Sequence, residues 1–295
     1  MTIFFNCGKE DRKKHLNSTE ISEVLGPKEK GVFDSVNVPA NLKIEIKKIS
    51  LLNYFQTGES PSQNSDDHDS TPFYEFEKVK KKASYKELYQ LTSNKNHVVS
   101  LYSYLAVAES TPLLTPIFYS RLLNVKRKLY SENACLIGDL QSSEIYYNEY
   151  LKKVDEDVVK TDKVLNKLDS ISIMSDHTTT YILNQALRHR IYPESFHNRI
   201  EYLAFRKQNP YVLLYLSKHF RNRYQDQLQK SIISYFKDTD SYTNQDFSRD
   251  ALILELMRFK NPVNKNLIEK LLKNNSILES DPEVNHLKPA NGLTK

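Results

Sequence analysis

Between Phe73 and Ile277 the chain contains one glycine, Gly138. Glycine supplies the left-handed backbone that tight hairpin turns need, so a stretch this poor in it has few ways to reverse a strand. The same stretch shows no pair of β-branched runs joined by a hairpin turn signal, and it reads as helical throughout. Capping residues mark helix starts at Asn96, Thr111-Pro112, Ser131 and about Asn148. They resume near Asp176, Pro193, Asn209-Pro210, Asp226, Asn244 and Asn261-Pro262. An Asn or Thr side chain accepts an orphan backbone N–H, and a proline in the first turn has no N–H to lose. Most of these starts are roughly 15 to 18 residues apart, so two helices make a hairpin of about 34 residues, the period of several solenoid families. The expected fold class is all-α, with stacked antiparallel helical hairpins in an α-solenoid-like array. An irregular helical bundle is the alternative, because an average helix plus an average loop gives nearly the same beat.

Gln56 to Pro72 (QTGESPSQNSDDHDSTP) contains no hydrophobic residue. It cannot bury surface to offset its ordering entropy, so 56–72 is expected to be a flexible linker. Residues 1–55 then form an N-terminal arm with short helices. One is signalled by Asn17-Ser18, Ile21, Val24, Leu25 and Gly26-Pro27, another by Leu42, Ile46, Ile49 and Leu52. Residues 73–278 form the helical domain and 279–295 a disordered tail. Within the domain, Tyr146 to Tyr150 and the following KKVDEDVVKTDKVLNKL read as one long charged helix with Val154, Val158, Leu165 and Leu168 as its seam.

Two cysteines, Cys7 and Cys135, cannot build a disulfide framework and point to a reducing intracellular compartment. No apolar run approaches the roughly 18 residues of a membrane span. The start has no hydrophobic signal core, and Glu10 and Asp11 interrupt its basic residues, so no clear presequence is legible. Glycine-rich phosphate-cradling motifs are absent.

Lys and Arg number 42 against 37 Asp and Glu. From Asp176 to Lys230 there are nine basic and four acidic residues, so the whole surplus of five lies in that stretch. Six of the eleven arginines fall between Arg188 and Arg223. Guanidinium binds phosphate in a planar fork and stacks on bases, whereas ammonium is a hydrated point charge. The candidate RNA-binding residues are Arg188, Arg190, Arg199, Tyr202, Arg206, Lys207, Lys218, Arg221 and Arg223. Arg199, Tyr202 and Arg206 fall at i, i+3 and i+7, beside a core face of Phe196, Ile200 and Leu203. Tyr181, Asn184 and Arg188 repeat that spacing, and Tyr181, Tyr202 and Tyr211 are candidate stacking groups. A basic groove with aromatic steps suits single-stranded RNA, since phosphate neutralisation gives affinity and stacking tolerates any base. An acidic protein partner would use the same surface, which makes a non-catalytic interaction scaffold or assembly factor the second reading.

Other constellations carry less. His189, His197 and His219, with His177 nearby, share no helix face across Pro193, and neither H-E-x-x-H nor C-x-x-C occurs, so no metal site is expected. Asp176 reads as a helix cap and Cys135 as a small buried hydrophobe. The basic run Lys78 to Lys86 is offset by Glu75, Glu77 and Glu87. With no acid–base, nucleophile or metal set, neither a cofactor nor a catalytic residue is expected.

The stretch Thr178 to Phe220 resembles a degenerate pentatricopeptide-type unit. Thr180-Tyr181 stands where such a repeat opens its first helix, and Tyr192-Pro193-Glu194-Ser195-Phe196 where one repeat meets the next. The texture, rich in Lys, Asn, Ser and Tyr, resembles fungal helical-repeat proteins of mitochondrial gene expression. That resemblance implies a mitochondrial location, binding to organellar RNA or the ribosome, and a part in RNA stability, processing or translation. Without it, the location would be nuclear or cytoplasmic.

Overall fold

A computed structural model describes residues 3–4, 31–58, 71–133, 136–238, 247–273 and 275–293. Among the described residues are fourteen α-helices and one small sheet, so the fold is mostly α as expected. The chain divides into two compact units, 1–171 and 172–295. The boundary falls inside a helix rather than at the hydrophobe-free stretch. Of that stretch, 59–70 lie outside the described residues, while Gln56, Thr57, Thr71 and Pro72 at its ends are buried. The helix read at Asn17-Ser18 and the start read at Asn244 also lie outside.

The first unit contains α1 (Lys43–Leu52), α2 (Pro72–Lys82), α3 (Tyr85–Leu91), α4 (His97–Ser110), α5 (Thr115–Leu123), α6 (Ser142–Leu151) and the start of α7 (Lys163–Met174). Its strands are β1 (Ile3–Phe4), β2 (Phe55–Gln56), β3 (Lys128–Asn133) and β4 (Leu136–Gln141), in the order β1-β4-β3-β2. The helix read between Leu42 and Leu52 is α1, with Ile46 and Ile49 fully buried. Asn96 caps α4 by accepting from the N–H groups of Val98 and Val99.

The hairpin β3–β4 departs from the all-helical expectation. Ser131, read as a helix cap, sits inside β3 opposite Gly138, so the stretch's one glycine falls on a strand. Leu129 and Tyr130 are buried, and the Phe55–Gln56 edge pairs in parallel beside them. The side chain of Tyr102 finishes that edge: its hydroxyl donates to the Gln56 carbonyl at 2.7 Å and accepts the Gln56 N–H at 2.9 Å. A tertiary contact 46 residues away in sequence thus anchors a strand that local propensity does not announce. Cys135 lies outside the described residues.

The long charged helix is also two helices. α6 stops at Leu151, with Asn148 in its interior, and α7 starts at Lys163. The Asp162 carboxylate accepts the Leu165 N–H at 2.6 Å and the Tyr150 hydroxyl at 3.1 Å, capping α7 and holding it to α6. Asp and β-branched Val are poor helix formers, and they dominate the break. The basic run ends in ion pairs: Lys78 with Glu75 at 3.0 Å, Lys80 with Glu109 at 3.1 Å and Lys82 with Glu45 at 2.5 Å.

The second unit contains the end of α7, then α8 (Thr180–Arg188), α9 (His197–Glu201) continued by a π turn over Tyr202–Arg206, α10 (Pro210–Asp238), α11 (Phe247–Arg258), α12 (Lys265–Lys273), α13 (Ser276–Glu279) and α14 (Pro282–Leu287). Asn209, Asn261, Asn275 and Asp281 cap α10, the turn before α12, α13 and α14. With glycine scarce, Gln208 and Lys260 turn the chain in the left-handed region at φ 49° and 51°. α10 leaves helical geometry at Phe220 and Tyr224. There the Arg221 Nε–H donates to the Ser217 carbonyl at 3.4 Å, the acceptor that its own backbone N–H would use in a regular helix. The start read at Asp226 lies just past this kink, within α10.

The expected loose tail is folded. Val284, Leu287 and Leu293 are buried in the core of the second unit. Asn291, fully buried, donates from Nδ2 to the carbonyls of Met257 at 2.8 Å and Leu287 at 3.0 Å. Replacing Asn291 by Ala strands two buried acceptors and should cost about 1–3 kcal/mol. Chemical denaturation checks this; a loss under about 0.5 kcal/mol, the scale of surface substitutions, would mean the tail is not docked as described.

Candidate nucleic-acid interface

The Arg-rich stretch is built on α8, on α9 with its π turn, and on the first half of α10. Core contacts set its orientation: Ile200, Leu203, Leu213 and Leu216 face inward, as their spacing predicts. The structure then sorts the cations into two classes by what their donors reach.

Arg199 turns inward. Its Nε–H donates to the Ile173 carbonyl at 2.9 Å, and its Nη2 reaches the Ser175 carbonyl at 2.9 Å and Asp176 Oδ1 at 2.8 Å. It closes the C-terminal end of α7, where orphan carbonyls and the helix dipole favour a cation. Asp176 is therefore not a helix cap: Thr179 caps α8 through the Ile182 N–H, and Asp176 is the partner of Arg199. The hydrogen bond from Arg199 and its charge hold the Asp176 carboxyl below its ordinary 3.8. Its contribution to stability is present above that value and is lost as pH falls through the lower folded one.

Arg221 is spent in the same way. It pairs with Glu255, which also pairs with Arg258, and the Arg258 Nε–H donates to Glu283 at 2.7 Å. Its guanidinium carbon lies 5.5 Å from the Phe259 ring centre. Arg223 faces a third group: Glu194 at 3.5 Å, the His197 Nδ1 at 3.3 Å and the Tyr224 ring at 5.3 Å. Tyr224 donates to Glu201 at 2.5 Å; burial first, and then that hydrogen bond, push its phenol up to about 12. His197 and His219 pack on Phe220 at 4.9 and 6.4 Å, and burial with the charge of Lys218 lowers the His219 imidazole below 6.5.

The stripe read as Arg199, Tyr202 and Arg206 is rewritten by the π turn. The Lys207 N–H donates to the Tyr202 carbonyl at 3.1 Å, five residues back, so the extra residue brings Lys207 over the ring. Tyr202 has the Arg199 guanidinium carbon 5.2 Å and the Lys207 Nζ 5.7 Å from its centre, and it stays 38% exposed. Arg188, Arg206, Lys207 and Lys218 are exposed, with no ion pair to an acid among the described residues. Arg190 is half-buried, Tyr181 is 41% exposed and Tyr211 is half-buried. So the structure brings together Arg199, Tyr202 and Lys207 from the candidate set, and it gives Arg221 and Arg223 other partners.

Two signals escaped the sequence reading. Glu255 lies 34 residues from Arg221, and nothing local marks it as the acid that two arginines share. Lys207 belongs to the basic stretch, but its meeting with Tyr202 depends on a π turn for which regular helical spacing has no place.

No family model matches this chain, and no curated protein or solved structure is significantly similar to it.

Two substitutions separate capping from pairing. Arg199→Ala removes donors from two backbone carbonyls and should cost about 1–3 kcal/mol. Asp176→Ala removes one exposed partner and should cost less than Arg199→Ala. Urea denaturation of both variants checks the order; equal losses would contradict the capping role.

Proposed function

We propose that residues 172–295 carry a non-catalytic surface for single-stranded RNA, in mitochondrial gene expression, built from stacked helical hairpins. The observation that carries this reading is Tyr202: an exposed ring with Arg199 and Lys207 against it, beside the exposed Arg206. A ring flanked by cations offers a base a stacking face and its phosphate a counter-charge in one place. Arg188 and Lys218 extend the positive charge, while Arg199, Arg221 and Arg223 mainly hold the helices that present it. The hairpin arrangement is supported by helices packing on their sequence neighbours, α10 on the π turn before it and on α11, and α11 on α12. The mitochondrial setting rests on the pentatricopeptide-like wording between Thr178 and Phe220.

The test is affinity for an oligouridylate as a function of salt. The combined Arg188→Ala, Arg206→Ala, Lys207→Ala and Lys218→Ala variant removes four cations without touching the buried pairs. For single strands each phosphate contact contributes about 0.7 to the slope of log affinity against log salt, so the slope should become shallower by about 3. An unchanged slope, or no RNA binding by the parent chain, overturns the reading. Tighter binding to a polyglutamate of matched charge transfers the surface to an acidic protein partner.

A further inference from the structure

The first unit carries an exposed apolar surface, independent of the RNA surface of the second. It starts at the short Pro112–Leu114 helical turn, where Leu113 is 83% exposed. Ile117 and then Arg121 follow on α5, both exposed. A spacing of four puts these two on one stripe with Leu113 at its head, while Thr115, Tyr119 and Leu122 are buried on the other side.

α3 lies alongside and adds two exposed tyrosines, Tyr85 and Tyr89. The Thr111 hydroxyl donates to that of Tyr85 at 3.3 Å, and the Tyr89 ring centre is 6.3 Å from that of Phe118. The Arg121 guanidinium carbon is 6.0 Å from the centre of the same Phe118 ring. Single exposed apolar side chains are ordinary, whereas a cluster of them rimmed by polar groups marks an interaction surface.

The charge around this face is left positive. Glu87, beside the tyrosines on α3, is turned to its own helix end, accepting the Ser84 N–H at 2.7 Å and the Ser84 hydroxyl at 2.8 Å. Glu109, just before the turn, is shared by Lys80 and Lys153. Lys86 and Arg121, with Lys126 and Lys128 just past α5, are exposed and have no ion pair to an acid among the described residues.

We infer that this face makes a peripheral contact with an anionic lipid surface, with Leu113 and Ile117 entering the headgroup boundary. Leu113 projects from its turn into solvent, a shape that enters a fluid layer without a matching pocket. A tyrosine has an apolar ring and a polar tip, and it is favoured at headgroup level. Lys and Arg lay their stems along apolar surface while their charges reach anionic headgroups.

The chain contains no tryptophan, so Leu113→Trp installs a single fluorescent reporter at the tip. Val263→Trp, at an 88% exposed position of the second unit, is the control, and neither change touches the core. Each full-length variant is titrated with phosphatidylcholine vesicles containing about 30 mol% phosphatidylserine, an anionic surface. The Leu113→Trp emission should shift to shorter wavelength and be quenched by brominated acyl chains, with the Val263→Trp emission unchanged. Phosphatidylcholine alone should bind about tenfold more weakly. Adding Ile117→Ser should also weaken binding about tenfold, the factor for withdrawing one aliphatic side chain from an apolar layer. An unshifted Leu113→Trp emission overturns the inference, including the case where the basic second unit attracts the vesicles by charge alone. Equal shifts at both positions, or no effect of Ile117→Ser, overturn it as well. An emission that vesicles leave unmoved and an acidic amphipathic peptide shifts overturns it in favour of a protein partner.

Discussion

A guanidinium carries five N–H donors, and a half-buried arginine gains from placing those that face inward on acceptors of the protein. That requirement organises the second unit. Arg199 meets it at the end of α7, on two carbonyls and Asp176. Arg221 meets it on Glu255 and the Ser217 carbonyl. These bonds tie the helices together, while Arg188, Arg206, Lys207 and Lys218 are left facing water. A stretch that carries the chain's whole charge surplus is therefore two things at once, an internal scaffold and an outward basic face.

The kink of α10 and the π turn before it are local expressions of the same economy. The Arg221 side chain bonds the Ser217 carbonyl where α10 leaves helical geometry at Phe220. The π turn adds one residue, and Tyr202 gains Lys207 beside Arg199. π turns recur at functional sites because they re-aim side chains at little cost to the core. Here the re-aimed group is an exposed aromatic ring, the feature on which the RNA proposal depends. The first unit behaves differently: Lys48, Lys82 and Lys153 are tied to Glu75, Glu45 and Glu109.

Much of the helical content is legible in sequence because capping is local. Asn96, Asn209 and Asn261 each accept the N–H groups their positions predict. Ile200, Leu203, Leu213 and Leu216 are buried as their spacing requires. What stays hidden is decided at long range. β2 depends on Tyr102, 46 residues away, and the arginine pairings span 23 to 34 residues. The tail from Glu279 is polar in composition, yet Val284, Leu287, Asn291 and Leu293 suffice to dock it. Composition averages over a segment, whereas docking needs only a few residues with the right partners. The basic stretch itself was visible, but which of its arginines face inward was not, because Glu255 and the carbonyls of Ile173 and Ser175 carry no sequence mark.

The division of arginines into scaffold and surface is measured most directly by guanidinium NMR of the full chain. Nε–H groups held on protein acceptors exchange slowly with water and their guanidinium groups rotate slowly, whereas solvated ones do both fast. The division predicts slow Nε–H exchange for Arg199 and Arg221 and fast exchange for Arg188 and Arg206. Uniformly fast exchange across all four would contradict it.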